Sequence, residues 1–363
     1  MSELQSLPSS VLDILPRPQM KHVLRGSPYA VSISHWQLRN LVVEAHDTIY
    51  WSAESAIKSL APGAVEPTLV ATVPFAPTCI DATAVQGVLG HPDPILVAAG
   101  GQSAEVFVYG TAEQQGAILH RRVTASHDCI NSVTFHIMYN SPPGLFISCN
   151  DCMVRMLDLP TGEVHSRLRF RVPVNGVAVH RTGRVAMVGD GRALIVGDSR
   201  EMREEVLART AMPTGVSMGA SFSPCGTEVA VATQGGYVYV YDIRALRHPR
   251  LSLPASQSGP SGAYRAVQWL DRHIVGASEH DNMLHLFDVF NEEAVLATTL
   301  SLPSEPLLMG RGPTGTDTHG QVSIGGFAHS AGAETLSIGT DKGIIQYHLP
   351  GSFAQSRLVL QMA

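Results

Sequence analysis

The chain has 363 residues, 25 Lys and Arg against 31 Asp and Glu, a net charge of −6, and 44% hydrophobic residues. That length can bury a large core, and the negative balance gives no overall positive field for a nucleic acid or an anionic membrane. Five irregularly spaced cysteines fit a reducing compartment rather than a disulfide framework, and no run reaches the ~18 apolar residues of a membrane span.

Residues 1–20 lack the basic start and long apolar run of a secretory signal, so they read as an N-terminal extension of a cytoplasmic or nuclear protein. Within them "SSVLDILPRPQ" is a small apolar cluster in a polar setting. From residue 21 a single sentence then recurs: an alternating apolar run, a short polar turn and a second alternating run. In chain order its copies are "NLVVEAHDTIYWSA", "ILVAAGGQSAEVFVYG", "LFISCNDCMVRMLD", "RVAMVGDGRALIVGD", "EVAVATQGGYVYVYD", "HIVGASEHDNMLHLFD" and "TLSIGTDKGIIQYH". Taking Asp47, Gly100, Asp151, Asp190, Gly235, Asp281 and Asp341 as turn markers, the intervals run from 39 to 60 residues. Two further short strands fit between successive hairpins. Four strands per unit and seven units predict an all-β fold over residues 21–363, a single seven-bladed β-propeller with four-stranded antiparallel blades. The C-terminal "SRLVLQ" is expected to complete the last blade, with "KHVL" near the N-terminus as the competing candidate.

The third copy contains a C-x-x-C pair, Cys149 and Cys152, bracketing the turn Asn150-Asp151. A structural zinc would want a second such pair or a His pair, and a redox pair would want a helix N-terminus. Neither accompanies it, so packing is the expected role. The 16 histidines show no H-x-H or H-E-x-x-H spacing. The turn acids recur with the hairpins, which explains them better than calcium binding. "GDGRALIVGD" and "TQGGYVYVY" join strand to strand, whereas a phosphate loop needs a strand followed by a helix. No metal or cofactor is expected.

With these residues in view, the chain resembles the WD-repeat family over most of its length. The third copy carries the resemblance best: His127 precedes "INSVTF", Ser148 lies in the second strand, Asp151 in the turn, and Leu157-Asp158 stands where the family has Trp-Asp. The resemblance implies a structural hydrogen-bond network of His127, Ser148 and Asp151 within that blade. Elsewhere the dipeptide is degenerate, as in Tyr241-Asp242, Phe287-Asp288 and Gly197-Asp198. "YDIR" (241–244) and "GDSR" (197–200) are similar to the Trp-Asp-x-Arg of adaptor-binding WD-repeat proteins, without the Trp. Over two blades, the segment from "GASFSPCG" to "SEHDNMLHLFDV" resembles a fungal WD-repeat family, at least one member of which is a substrate receptor of a multisubunit ubiquitin ligase. Phosphoinositide-binding propellers carry two adjacent arginines followed by glycine. The nearest strings here, "HRRV" and "LRFRVP", lack that glycine.

Two connections, 255–262 and 302–322, are far longer than a hairpin needs and flank the sixth unit. Beside or within them stand Tyr264, Arg265, His280, Asp281 and Arg311, the residues expected to hold a protein or peptide on the upper face, with Glu54 on the opposite face. The expected function is a non-enzymatic binding propeller, which the narrower resemblance makes a substrate receptor or scaffold subunit of a ubiquitin-ligase complex. An architectural subunit of another assembly is the first alternative. A propeller hydrolase with a central metal is the second, but it would need acids converging on the axis, whereas the strand starts offer Cys79, Asn131, Asn175, Val216 and Tyr264.

Overall fold

The computed structural model describes residues 18–35, 40–85, 94–111, 116–125, 127–138, 142–202, 207–256, 262–279, 283–290, 295–302 and 322–349. β1 (Gln19–Arg25) opens the described chain. Blade one follows as β2 (Val42–Ala45), β3 (Thr48–Ala53), β4 (Ala56–Leu60) and β5 (Thr68–Thr72). Blade two is β6 (Cys79–Ala84), β7 (Ile95–Gly100), β8 (Glu105–Gly110) and β9 (Gly116–Arg122). Blade three is β10 (Ile130–His136), β11 (Gly144–Cys149), β12 (Met153–Asp158) and β13 (Val164–Arg169). Blade four is β14 (Val174–Val179), β15 (Arg184–Gly189), β16 (Ala193–Asp198) and β17 (Ala208–Ala211). Blade five is β18 (Ser217–Phe222), β19 (Glu228–Thr233), β20 (Tyr237–Asp242) and β21 (Leu251–Pro254). Blade six is β22 (Tyr264–Trp269), β23 (Ile274–Glu279), β24 (Met283–Asp288) and β25 (Val295–Ser301). Blade seven takes β26 (Ile324–Ser330), β27 (Thr335–Thr340) and β28 (Gly343–His348) from the C-terminal side and β1 as its outer strand.

The result is seven four-stranded antiparallel sheets. Calling the strands of each blade a to d from the axis outward, the b–c and d–a connections share the upper face and the a–b and c–d connections the lower. Burial follows the same order. Strands b such as "ILVAAG" and "GLFISC" read as nearly continuous apolar runs because neighbouring blades cover both of their faces. Outer strands such as β13 and β17 are half-exposed and carry Arg, Ser and Thr. Each of the seven apolar clusters spans one pair of adjacent blades: Tyr50 and Ile57 of blade one meet Ile80 and Phe107 of blade two, and Leu41 and Trp51 of blade one meet Ile344 of blade seven.

The b–c turns show why a C-x-x-C falls where it does. The residue before strand c has positive φ in four successive blades, at Ala104 (60°), Cys152 (63°), Arg192 (50°) and Gly236 (79°). Cys152 is therefore a left-handed turn residue at a position where blade five uses glycine. Cys149 is the last residue of strand b, buried against the neighbouring blade, and burial pushes its thiol up to about 12. All five cysteines are free thiols.

Two expectations are corrected. Asp47 lies between β2 and β3, an a–b turn, so the b–c turn of blade one is at Glu54 (φ 55°), which places Glu54 on the upper face rather than the lower. Ring closure belongs to the "KHVL" candidate. β1 pairs antiparallel with β28 from Gln19↔His348 to Arg25↔Gly343, so the edge expected for "SRLVLQ" is already occupied. "SRLVLQ" itself lies outside the described residues.

Candidate functional site

The seven a strands leave a channel at the axis, a cavity of about 640 Å3 whose wall includes Glu44, Asp81, Thr134, Ser221, Gln268 and Phe327. Neighbouring a strands are tied across it. The Thr134 hydroxyl donates to the Val177 carbonyl at 2.8 Å, and the Trp269 amide donates to Ser221 Oγ at 3.0 Å. The Phe135 amide donates to Asp81 Oδ2 at 2.7 Å. Burial raises the Glu44 carboxyl above its ordinary value, and it accepts the Asp47 amide at 2.5 Å.

At the upper mouth the a–b register shifts in blades three to seven, each time within two residues of the start of strand a or its first pairing. The bulged residue in blades three and four is Asn, and its amide group clamps three pieces of chain together. Asn131 Nδ2 donates to Asn150 Oδ1 at 2.8 Å and to the Val174 carbonyl of the next blade at 3.0 Å. Asn175 Nδ2 repeats this with Asp190 Oδ1 at 2.8 Å and the Ser217 carbonyl at 3.0 Å. In the sequence both residues mark only strand starts. Their repeated position in front of an apolar strand is the available signal.

Arg265 is the bulged residue of blade six. The expectation that Tyr264 and Arg265 are solvent-facing anchors is thereby corrected: Tyr264 is fully buried and Arg265 is 8% exposed. Tyr264 points into the core between blades five and six, its hydroxyl donating to the Pro254 carbonyl at 3.1 Å and its ring meeting His285 edge-on at 5.9 Å. His285 Nε2 lies 2.5 Å from Glu279 Oε2, with both side chains 1% exposed, and Ser256 donates to the same carboxylate at 2.8 Å. His280, Asp281 and Arg311 lie outside the described residues.

The lower face holds a second cavity of about 650 Å3, which meets the channel at Arg181 and Pro224. Its wall is assembled from a–b connections of blades four, five and six (Arg181, Cys225, Arg272) and c–d connections of blades five and six (Arg244, Phe290). Arg250 forms a strut beneath it, its Nε on Glu228 Oε1 at 2.5 Å and its Nη2 on the Val289 carbonyl at 3.0 Å. Arg244 makes a two-pronged pair with Asp242 at 2.9 and 2.6 Å, and that guanidinium holds the Asp242 carboxyl down at about 2. Arg200 and Asp198 repeat the same fork at 2.8 and 2.5 Å. Hydrogen bonds from Ser223 and Thr227 lower the Cys225 thiol below its ordinary value.

No family model matches the chain. An uncharacterized Schizosaccharomyces pombe protein, C4G3.03, is 27% identical over 293 residues, covering 77% of this chain and 79% of that protein. A chain in the crystal structure of the mitotic checkpoint complex superposes with a TM-score of 0.68 at 11% identity, covering 96% of this chain and 98% of that one. The chain folds as a seven-bladed β-propeller of four-stranded antiparallel blades.

In this propeller the expected blade-three network is rearranged. His127 is exposed, and the buried Ser148 hydroxyl has no hydrogen-bond partner among the described residues. Asp151 instead accepts from Arg155 across its own hairpin, at 3.1 Å from Nη1 and through a second contact from Nη2, and caps the Met153 amide at 3.1 Å. With Leu157 in place of Trp there is no indole donor at the strand end, and Arg155, 7% exposed, holds the turn acid. Among the described residues no group of three or more His, Cys, Asp or Glu could hold a metal, and no helix is long and apolar enough to cross a membrane.

Asp81 gives the propeller a pH dependence. Burial pushes its carboxyl up from 3.8 to about 7, against lowering by the Phe135 and Ala82 amides. The native state therefore keeps this proton at pH values where the unfolded chain has lost it. The stability linked to Asp81 is full below the unfolded value and falls as pH rises through about 7. Asp81→Asn is expected to flatten that fall, with a wild-type-to-variant difference that changes by about 1–2 kcal/mol between acidic and alkaline pH, reduced because Asp81 faces an open channel. Urea titrations at several pH values measure it.

Proposed function

We propose that the propeller is a non-enzymatic scaffold that holds another protein, as a substrate receptor or scaffold subunit of a ubiquitin-ligase complex. The observation that carries the binding role is the lower-face cleft, where guanidinium groups and an exposed aromatic, Phe290, stand on the connections of a closed, rigid ring. Arg and aromatic side chains in a concave site are the chemistry of protein recognition. The ligase assignment is supported by the forked pairs Asp198–Arg200 and Asp242–Arg244, which resemble the Asp-x-Arg of adaptor-binding WD-repeat proteins, and by the two-blade resemblance to a fungal receptor family.

Affinity capture of the tagged protein with quantitative mass spectrometry tests this. Ubiquitin-ligase subunits are expected in the wild-type capture and are expected to be lost from an Arg200→Ala/Arg244→Ala variant, whose exposed substitutions spare the fold. A stable set of partners without ligase subunits would assign the protein to another assembly as an architectural subunit. Recovery of no protein partner would overturn the scaffold reading.

A further inference from the structure

We infer that the lower-face cleft is a docking site for a short acidic segment of a partner protein, with an apolar residue set among its carboxylates. This rests on the scaffold reading above and adds the chemistry of the partner. The cleft's four arginines fall into two kinds. Arg244 and Arg250 are already committed to Asp242 and Glu228 and shape the wall. Arg181 and Arg272 are exposed and lie in the a–b connections of blades four and six; among the described residues neither guanidinium pairs with a carboxylate, although the Arg272 backbone amide donates to Asp271 Oδ1 at 2.5 Å. They face a common cavity in a chain whose net charge is −6, so they form a local positive site against an overall negative background. The cavity is large enough for several side chains, at about 650 Å3.

The apolar part of the ligand follows from Phe290. It is 48% exposed on the same wall, held edge-on against His273 at 4.4 Å, and flanked by Val289 and Pro224. A rigid aromatic beside two guanidinium groups suits an aliphatic side chain with carboxylates on either side. A nucleic acid fits less well, because two uncommitted arginines neutralise few phosphates and the wall also presents the carboxylates of Glu228 and Asp242. A membrane surface fits less well because the site is concave.

The test uses the full chain and a fluorescein-labelled Glu-rich peptide with a central Leu, read by anisotropy. Wild type is expected to bind it with an affinity that falls as salt rises, and to bind the all-Gln counterpart at least tenfold more weakly. Arg181→Glu/Arg272→Glu is expected to lose at least tenfold, Arg181→Lys/Arg272→Lys to retain most binding, and Phe290→Ala to lose about threefold or more. Unchanged thermal midpoints in these variants confirm that the fold is kept. Bound peptide is also expected to slow alkylation of Cys225, which is exposed in the same cleft. Equal binding of the Glu and Gln peptides, or unchanged binding by the charge-reversed variant, would overturn the inference. So would tighter binding of a single-stranded oligonucleotide or of phosphoinositide vesicles than of the peptide. If the affinity capture recovers partners that the charge-reversed variant keeps in full while the peptide fails to bind, the inference fails and the scaffold reading stands. Capture of no partner while the peptide binds as expected would sink the scaffold reading and support the acidic-segment site.

Discussion

Deletion of residues 1–25, which removes β1, is expected to abolish the folded monomer. β1 supplies the whole outer strand of blade seven, pairing with β28 from Gln19 to Arg25, and its Val23 and Leu24 pack against the apolar clusters on either side of that blade. Five or six strand hydrogen bonds at about 1 kcal/mol each, with about 1–2 kcal/mol for each of two apolar side chains, come to roughly 8 kcal/mol. That is comparable to the whole stability of an ordinary domain, about 5–15 kcal/mol. The exposed edge of β28 would add an aggregation route. Light scattering after size exclusion and differential scanning calorimetry check the result. Truncation after Leu349 makes the contrast, because it leaves all the described strands in place. A monomeric, cooperatively unfolding product of the N-terminal deletion would mean that β1 does not close the ring.

The second large effect is expected at His285. Its side chain and that of Glu279 are each 1% exposed, 2.5 Å apart, and the other ring nitrogen meets Thr299 Oγ1 at 2.9 Å. Replacing His285 by Ala takes the imidazole away from a buried carboxylate and leaves a cavity beneath the Tyr264 ring, so a loss of about 3–5 kcal/mol is expected. Arg244→Ala is the control. That pair is largely exposed, and surface pairs contribute about 0–1 kcal/mol. Urea unfolding of both variants separates the two cases. Similar small losses would show that the Glu279–His285 pair contributes no more than a surface contact.

The fold is legible in the sequence because each blade must bury strand b on both faces and turn tightly into strand c, and both demands leave local patterns. Asp47 misleads the phasing of blade one because an a–b turn there uses the same polar chemistry as a b–c turn. The closing strand is ambiguous because "KHVL" and "SRLVLQ" carry equally good strand patterns, and only long-range pairing separates them. Tyr264 and Arg265 look like rim anchors because polar and aromatic residues beside long loops usually face solvent. Their burial depends on a register shift that composition does not reveal. The lower-face cleft leaves no local trace at all, since Arg181, Cys225, Arg244, Arg272 and Phe290 come from five separate connections that the ring alone gathers. The blade-three acid is recognisable as a turn residue, but its partner, Arg155, lies four positions on in the next strand, where the resemblance gives no reason to look.

The β1–β28 pairing also bears on how the protein is made. Of the described strands a ribosome delivers β1 first and β28 last, so β1 has no partner until the other described strands have been made. At about 5–20 residues per second the nascent chain spends tens of seconds as an open arc with one bare sheet edge and uncovered apolar side chains. Two neighbouring arcs on one messenger could each lend β1 to the other's β28, because an exchanged strand makes the same bonds as an internal one. Crowded synthesis is therefore the condition under which strand-swapped dimers of this protein should accumulate, and dilution of the newly made chains the condition that favours the closed monomer.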